Sequence, residues 1–123
     1  MSNLEFEKKN ALVTGIGSGI GLETARVLAR GGARIIGVDR NTSKLDEAVA
    51  SLTRQAEPHV KIVKDLRSVS AAKSVIPDSL AEVGYIDIVV NAAGVCYFTK
   101  LSEISEEEYN EVMDVNVRAL FLI

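Results

Sequence analysis

The sequence contains few of the residues that build disulfides and metal centres. Its 123 residues include one cysteine, Cys96, and one histidine, His59. A lone cysteine excludes an intrachain disulfide, and neither residue has metal-ligand spacing around it. We therefore expect neither a metal site nor a Cys–His pair, and we interpret His59, which follows Pro58, as a loop residue at the surface.

The chain also lacks an excess of positive charge and a long apolar run. It carries 14 basic and 17 acidic residues, a net charge of −3, and the basic residues are scattered. This distribution disfavours a nucleic-acid partner. No run approaches the length of a membrane span, and residues 1–9 lack the apolar core of a signal peptide. We expect a soluble, cytoplasmic protein with no membrane partner.

The apolar pattern predicts strands that alternate with helices. Strands are predicted over residues 10–14, 34–39, 60–63 and 86–90, and helices over 19–30, 41–58, 68–83 and from 105 onward. We expect Pro77 to kink or split the third helix, and Ser105 with Glu108 to form a capping box. The alternation implies an α/β fold of the Rossmann type, a partial doubly wound parallel sheet of four strands in the order 3-2-1-4. We expect one domain over residues 1–123.

A glycine-rich stretch, TGIGSGIG at residues 14–21, joins the first predicted strand to the first predicted helix. It lacks the usual G-x-G-x-x-G spacing and fits T-G-x-x-x-G-x-G instead. Glycines permit positive φ and a close approach of ligand to backbone, and a helix N-terminus favours an anion. The stretch predicts a site for a dinucleotide pyrophosphate, with a glycine-rich turn without ligand as the alternative.

Polar residues also lie at the ends of the other predicted strands: the second ends in Asp39, the third is followed by Asp65, and the fourth ends in Asn91. In a doubly wound sheet the ligand binds outside the carboxyl ends of the strands, where these residues would meet. Asp39 follows Gly21 by about 20 residues, the spacing of an acid that binds the adenosine ribose. Its carboxylate would repel a 2′-phosphate, although Arg40 beside it is able to bind one. The sequence predicts NAD rather than NADP.

These motifs together resemble the short-chain dehydrogenase/reductase family. The matching segments keep the family's order over nearly the whole chain: residues 14–21, Asp39-Arg40, Asp65-Leu66, Asn91-Ala92-Ala93-Gly94 and Asn116-Val117. The resemblance implies a cofactor site formed by Gly15, Gly17, Ser18, Gly19, Ile20, Gly21, Asp39, Arg40, Asp65, Leu66, Asn91, Ala92, Ala93 and Gly94. It also implies that Asp65 contacts the adenine amino group, and that Asn91 stabilises the end of the sheet. Asn116 would be the asparagine of the family's catalytic tetrad, which helps to hold a water in a proton relay.

The tyrosine, lysine and serine of that tetrad are not found in this sequence. The family's Tyr-x-x-x-Lys spacing is not met, because Tyr85 and Tyr109 are followed four residues later by Val89 and Met113. Lys100 lies one residue too early for Tyr97. In the family the missing residues follow the last helix of this chain, so we expect a truncated chain that is the N-terminal, cofactor-binding half of the protein.

Two functions are compatible with these observations. The first is an NAD-dependent oxidoreductase acting on a small molecule with a carbonyl or hydroxyl group. Its substrate would resemble those of 3-oxoacyl-carrier-protein reductases or of sugar and polyol dehydrogenases. The second is a non-catalytic nucleotide-binding or interaction fragment. The resemblance also implies a homo-oligomer that pairs through the last helix.

Overall fold

A computed structural model describes residues 4–123 and contains a four-stranded parallel sheet. The strands are β1 (Asn10–Thr14), β2 (Arg34–Asp39), β3 (Val60–Val63) and β4 (Ile88–Asn91). Their order is β3-β2-β1-β4, with β1 parallel to both β2 and β4. The predicted fold class and strand order are therefore confirmed.

Helices cover both faces of this sheet. They are α1 (Gly19–Arg30), α2 (Thr42–Ala50), α3 (Val69–Val83), α4 (Glu106–Met113) and α5 (Ala119–Leu122). Side chains alternate along β1, so Ala11 and Val13 enter one core with residues of α1 and α2, while Leu12 enters a second core with residues of α3 and α5. All five residues of β1 are buried, as expected for the central strand of a parallel sheet.

The second helix is shorter than the sequence pattern predicted. It ends at Ala50 rather than near Pro58, and the following residues form a turn and a loop. Ser51 donates its hydroxyl to the carbonyl of Ala48 at 2.7 Å, and Gln55 donates its side-chain amide to the carbonyl of Ala29 at 2.7 Å. The first bond closes the last turn of α2, and the second ties the loop to the end of α1, while Leu52 stays buried from a non-helical position.

His59 lies in the predicted loop, but it is half-buried and has a structural role. Its Nδ1 accepts the backbone N–H of Ile35 at 2.9 Å, and its Nε2 lies 2.8 Å from the carbonyl of Thr53. This pairing requires the neutral imidazole with its proton on Nε2. The side chain therefore provides a hydrogen-bond acceptor for the backbone N–H of Ile35, one residue before β2 begins to pair with β3.

The split predicted as one alternative at Pro77 is not observed, because α3 continues through it to Val83, and the other alternative, a kink, stays a prediction. Proline removes one backbone donor, which leaves the carbonyl of Lys73 without its helical partner. Lys73 lies on the exposed side of the helix, where water can satisfy that carbonyl, while Ala72 and Val75 are buried against the sheet. The packing of the apolar face keeps the helix in one piece.

Strand β4 begins at Ile88, two residues later than predicted. The Asp87 carboxylate accepts the backbone N–H of Asn10 at 2.8 Å, so a side chain replaces the ladder bond that a longer strand would make. The strand also continues one residue further than predicted, through Asn91.

The last helical region is interrupted by a segment that the sequence pattern did not predict. The Ser105–Glu108 capping box at the start of α4 is confirmed. After Met113, however, Asp114–Arg118 forms a π-helical segment before α5 begins. Such single-turn π-bulges are rare and occur frequently at functional sites. This one contains Val115 and Asn116.

Candidate functional site

The strand register places the loops that follow all four strands along one edge of the sheet. Thr14, the last residue of β1, pairs with Val38 on one side and Asn91 on the other. Asp39 pairs with Val63 at the end of β3. The carboxyl ends of the strands are therefore level, and the glycine-rich loop lies between the loops that follow β2 and β4.

A cleft of ≈ 260 Å³ opens at this edge. Nine of the fourteen predicted cofactor residues line it, namely Gly15, Ser18, Asp39, Arg40, Asp65, Leu66, Ala92, Ala93 and Gly94. The other five do not line the cleft: Gly17 lies in the glycine-rich loop, Gly19, Ile20 and Gly21 form the first turn of α1, and Asn91 ends β4. The motifs predicted from the sequence thus converge on one concave surface.

The glycine-rich loop packs too tightly for larger residues at two positions. A Cβ on Gly15, which has φ +66°, would lie 2.7 Å from the Cα of Ala93. A Cβ on Gly21 would lie 2.2 Å from the carbonyl oxygen of Gly15. Both distances are well below a van der Waals contact, so glycine allows the loop to pass directly beside β4 and the first turn of α1.

The start of α1 presents backbone donors towards the loop. Ser18 is the N-cap in an extended conformation, and within the described chain its side chain makes no capping hydrogen bond. Gly19, the first helical residue, has φ +58°. The N–H groups of a first helical turn have no intrahelical acceptor, so this helix end offers unpaired donors and a positive dipole to an anion. Ile20 in this turn is exposed.

Asp39 is fixed by two backbone donors. Its Oδ2 accepts the N–H of Gly17 at 2.8 Å, and its Oδ1 accepts the N–H of Asn41 at 2.9 Å. A Cβ on Gly17 would lie 2.6 Å from that same Oδ2. The carboxylate therefore joins the glycine-rich loop to the start of α2, and its orientation at the cleft is set before any ligand arrives.

Asp65 lies at the end of the cleft beyond β3, in a close pair with Arg67. The guanidinium donates to Oδ1 at 3.0 Å and to Oδ2 at 3.0 Å and 2.5 Å, and the backbone N–H of Arg67 donates to Oδ1 at 3.0 Å. The side-chain hydrogen bonds from Arg67 hold the pKa of Asp65 below its ordinary value. Leu66 beside it is buried and provides an apolar wall.

Asn116 of the π-helical segment holds the loop that follows β4. Its side-chain oxygen accepts the N–H of Val95 at 2.8 Å, and its side-chain nitrogen donates to the carbonyl of Val95 at 2.8 Å. On the other side of this loop, Ala93 donates its N–H to the hydroxyl of Thr14 at 3.2 Å. Gly94 lies between these two anchors, and a Cβ there would approach the Asn116 oxygen at 3.2 Å.

Five further residues line the cleft that the sequence motifs did not identify: Val38, Asn41, Lys44, Val95 and Val115. Lys44 is the most significant, because it places a second positive charge near Asp39 beside that of Arg40. Asn41 is the N-cap of α2 and accepts the N–H of Lys44 at 3.0 Å. These residues could have been found from the sequence, because α2 was predicted to start directly after β2. That start places the first turn of α2 at the carboxyl ends of the strands, where the cleft lies.

A family profile and individual known proteins match this chain over nearly its whole length. The family profile described as short chain dehydrogenase matches residues 9–123. The 2-dehydro-3-deoxy-D-gluconate 5-dehydrogenase of Escherichia coli (strain K12) is 31% identical over 123 residues, which are 100% of this chain and 48% of that protein. The chain thus spans about half the length of this curated relative.

Two solved structures share the fold closely. A metagenomic short-chain oxidoreductase in complex with NADP has a TM-score of 0.86 and 30% identity, over 95% of this chain and 53% of that one. The 3-ketoacyl-(acyl-carrier-protein) reductase of Brucella melitensis, complexed with NADH, has a TM-score of 0.86 and 28% identity, over 96% and 48% of the two chains. Across the described part of the present chain, no helix is long and apolar enough to cross a membrane.

Proposed function

This chain belongs to the short-chain dehydrogenase family, and on that premise we propose that it is the NAD(H)-binding part of an oxidoreductase that interconverts a carbonyl and an alcohol. The observation that carries this proposal is the position of Asp39, a carboxylate fixed by the glycine-rich loop at the edge of the cleft. The chemistry that the cofactor supplies when bound is hydride transfer.

The residues present fit such a cofactor. The close packing around Gly15 and Gly21 brings the backbone of the glycine-rich loop up to the uncapped donors of α1, while Ile16 is buried in the core and Ser18 lines the cleft. A pyrophosphate is favoured by this combination of close backbone, unpaired N–H groups and a helix dipole. We assign the pyrophosphate to residues 15–21.

Asp39 supports NAD as the preferred cofactor. Each of its oxygens accepts one backbone N–H and retains a further lone pair, so the carboxylate can accept hydrogen bonds from ribose hydroxyls. The same charge disfavours a 2′-phosphate. A cation at the same cleft that was free to reach the phosphate, such as Arg40 or Lys44, would act in the opposite direction. We propose that Asp39 prevails because two backbone donors fix its carboxylate in place.

We assign the adenine to the end of the cleft formed by Asp65, Leu66 and Val115. The buried side chains of Leu66 and Val115 offer an apolar surface for a flat ring, and Asp65 offers an acceptor for its amino group. Asn91 to Gly94 would pass close to the cofactor through backbone atoms. The tetrad role implied for Asn116 stays a prediction. Since both polar atoms of its amide bond Val95, we propose that it positions the β4 loop.

The substrate is proposed as a small molecule with a carbonyl or hydroxyl group. Proton transfer to or from such a group needs a general acid/base, which the family's Tyr-x-x-x-Lys pair supplies. That spacing does not occur in the 123 residues. We therefore propose that the chain by itself binds NAD(H) without turnover, which is the binding function of the second hypothesis. A cytoplasmic location and a homo-oligomer formed through the last helix also stay predictions.

The test is a titration of NADH with the 123-residue chain, in which the fluorescence of NADH reports binding. Saturable binding by the wild type and weaker binding by Asp39→Ala support the proposal. Asp46→Ala is the matched control, because it removes an exposed carboxylate from α2 outside the cleft. A folded wild type that fails to bind NADH would refute the proposed cofactor role. Turnover with a panel of alcohols would refute the statement that the chain alone only binds.

A further inference from the structure

Glu111 on α4 connects three loops around the cleft. Its Oε1 lies 3.6 Å from Nη1 of Arg40 and 4.0 Å from Nη1 of Arg67, and its Oε2 accepts the hydroxyl of Tyr97. The hydrogen bond to Glu111 raises the pKa of Tyr97 above its ordinary value. The Glu111 side chain is only 20% exposed, so these partners take the place of much of its hydration.

The two guanidiniums do not depend on Glu111 equally. Arg67 has a second carboxylate, Asp65, which it binds through two nitrogens at distances down to 2.5 Å. For Arg40, Glu111 is the one carboxylate within 4.0 Å among residues 4–123. Removing the charge of Glu111 would therefore leave Arg67 held by Asp65 and would release Arg40.

Arg40 lies where its release from Glu111 would affect the binding of a phosphate on the ribose. It follows Asp39 directly, lines the same cleft, and its side chain is 53% exposed. A guanidinium presents a planar set of donors that matches a phosphate well. A free Arg40 would thus be a ligand for a phosphate on the ribose bound at Asp39, whereas the Arg40 of this structure is paired with Glu111 of α4.

We infer that Glu111 is a specificity-determining positioning residue: by pairing with Arg40 it withholds that cation from a ribose 2′-phosphate and so strengthens the preference for NAD over NADP. This inference rests on the proposed function, since it requires the adenosine ribose to bind at Asp39. It concerns Glu111 of α4, an element distant in sequence from the end of β2 at which the ribose is proposed to bind. Asp39 then disfavours the 2′-phosphate by charge repulsion. Glu111 disfavours it by pairing with Arg40, the cation that would otherwise bind that phosphate.

The test compares NADH and NADPH dissociation constants for wild type, Glu111→Gln and Glu107→Gln. Glutamine keeps an oxygen for the Tyr97 hydroxyl and removes the charge that holds Arg40. We expect Glu111→Gln to shift the NADPH/NADH affinity ratio towards NADPH by about tenfold, the effect of one added charge-assisted bond. Glu107→Gln removes the same charge from an exposed site on the same helix, and it should leave the ratio unchanged.

The double variant Glu111→Gln, Arg40→Ala identifies the cation that is released. The inference predicts that the ratio returns to the wild-type value. A gain that survives Arg40→Ala but disappears on Lys44→Ala would contradict it, because Lys44 would then be the phosphate ligand.

The two proposals fail in different ways. If the folded wild type binds neither dinucleotide, the proposed function is wrong. If the wild type binds NADH and Glu111→Gln, with a native circular dichroism spectrum, keeps the wild-type ratio, the cofactor proposal stands and the role of Glu111 is wrong.

Discussion

The Asp39 carboxylate accepts the backbone N–H of Gly17 at 2.8 Å, so the acid at the end of β2 and the glycine-rich loop after β1 form one unit. Neither part can move independently of the other. A Cβ at residue 17 would lie 2.6 Å from the accepting Oδ2 of Asp39, so a larger residue at this position would clash with that carboxylate. The ribose and pyrophosphate sites proposed here are therefore mechanically coupled.

Asp39→Asn should weaken discrimination between the two dinucleotides. Asparagine keeps one oxygen for a backbone N–H and removes the charge that opposes a 2′-phosphate. We expect NADH binding to weaken by roughly tenfold, because a charge-assisted hydrogen bond is lost, while NADPH binding changes less. Calorimetric titration with both dinucleotides measures this, with Asp46→Asn as control. Equal losses for both would show that Asp39 acts only as a structural link.

Gly21→Ala should damage both folding and cofactor binding. The added Cβ would lie 2.2 Å from the Gly15 carbonyl, so the loop or the first turn of α1 must shift. We expect a loss of about 1–3 kcal/mol in the free energy of unfolding, typical of an overpacked site, measured by urea denaturation.

Gly84→Ala is the control for that experiment. Gly84 ends α3 with φ +82°, so alanine costs about 1–2 kcal/mol through backbone strain alone. It lies outside the cleft and should leave NADH affinity unchanged. If Gly21→Ala weakened NADH binding no more than Gly84→Ala does, the loop would not be the pyrophosphate site.

Asn116→Ala should loosen the loop after β4. It removes both side-chain bonds to Val95, and we expect the free energy of unfolding to fall by about 1 kcal/mol. Asn116→Asp keeps an acceptor for the Val95 N–H but places a carboxylate oxygen against the Val95 carbonyl oxygen, and because two acceptors repel each other, its loss should be no smaller than that of Asn116→Ala. Hydrogen exchange at the Val95 amide measures the same effect locally. Unchanged exchange in Asn116→Ala would contradict this role.

The Asp65–Arg67 pair should contribute a pH-dependent part of the stability. The pKa of Asp65 is lowered in the folded state, chiefly by side-chain hydrogen bonds from Arg67, so folding favours its charged form. The contribution is complete above the unfolded-state pKa of about 4 and is lost as the pH falls through the lower folded-state pKa. In Arg67→Gln this acid-range loss should diminish, which urea denaturation between pH 2 and pH 7, about the range of that titration, would detect. Identical pH profiles for the two proteins would contradict the prediction.

The strand ends could be predicted because their signals are local. β1 is a short apolar run; Asp39 and Asn91 each end such a run as the last residue of a strand, and Asp65 follows shortly after the end of β3. In a parallel sheet all these ends lie at one edge, so strand order alone brings them together. This reasoning identified most of the residues that line the cleft.

Other features depend on contacts between distant segments, which a single sequence does not encode locally. Helix α2 ends early because Gln55 reaches Ala29, and His59 is held by Ile35. The connection from Glu111 to Arg40 joins α4 to the end of β2. The π-helical segment lies within a stretch whose apolar spacing predicts a continuous α-helix. A π-helical turn contains one residue more than an α-helical turn, and the residue spacing does not mark where that residue is inserted.

The most direct test of the central claim is a ¹⁵N–¹H NMR titration of the 123-residue chain with NAD. The account predicts saturable shifts at the amides of residues 15–21, with further shifts at Asp39, Asp65 and Gly94. Amides at the opposite edge of the sheet, such as those of Lys9 and Tyr85, should not move. Shifts confined to that opposite edge, or an absence of saturable shifts in a folded protein, would contradict the assignment of the glycine-rich loop to the cofactor.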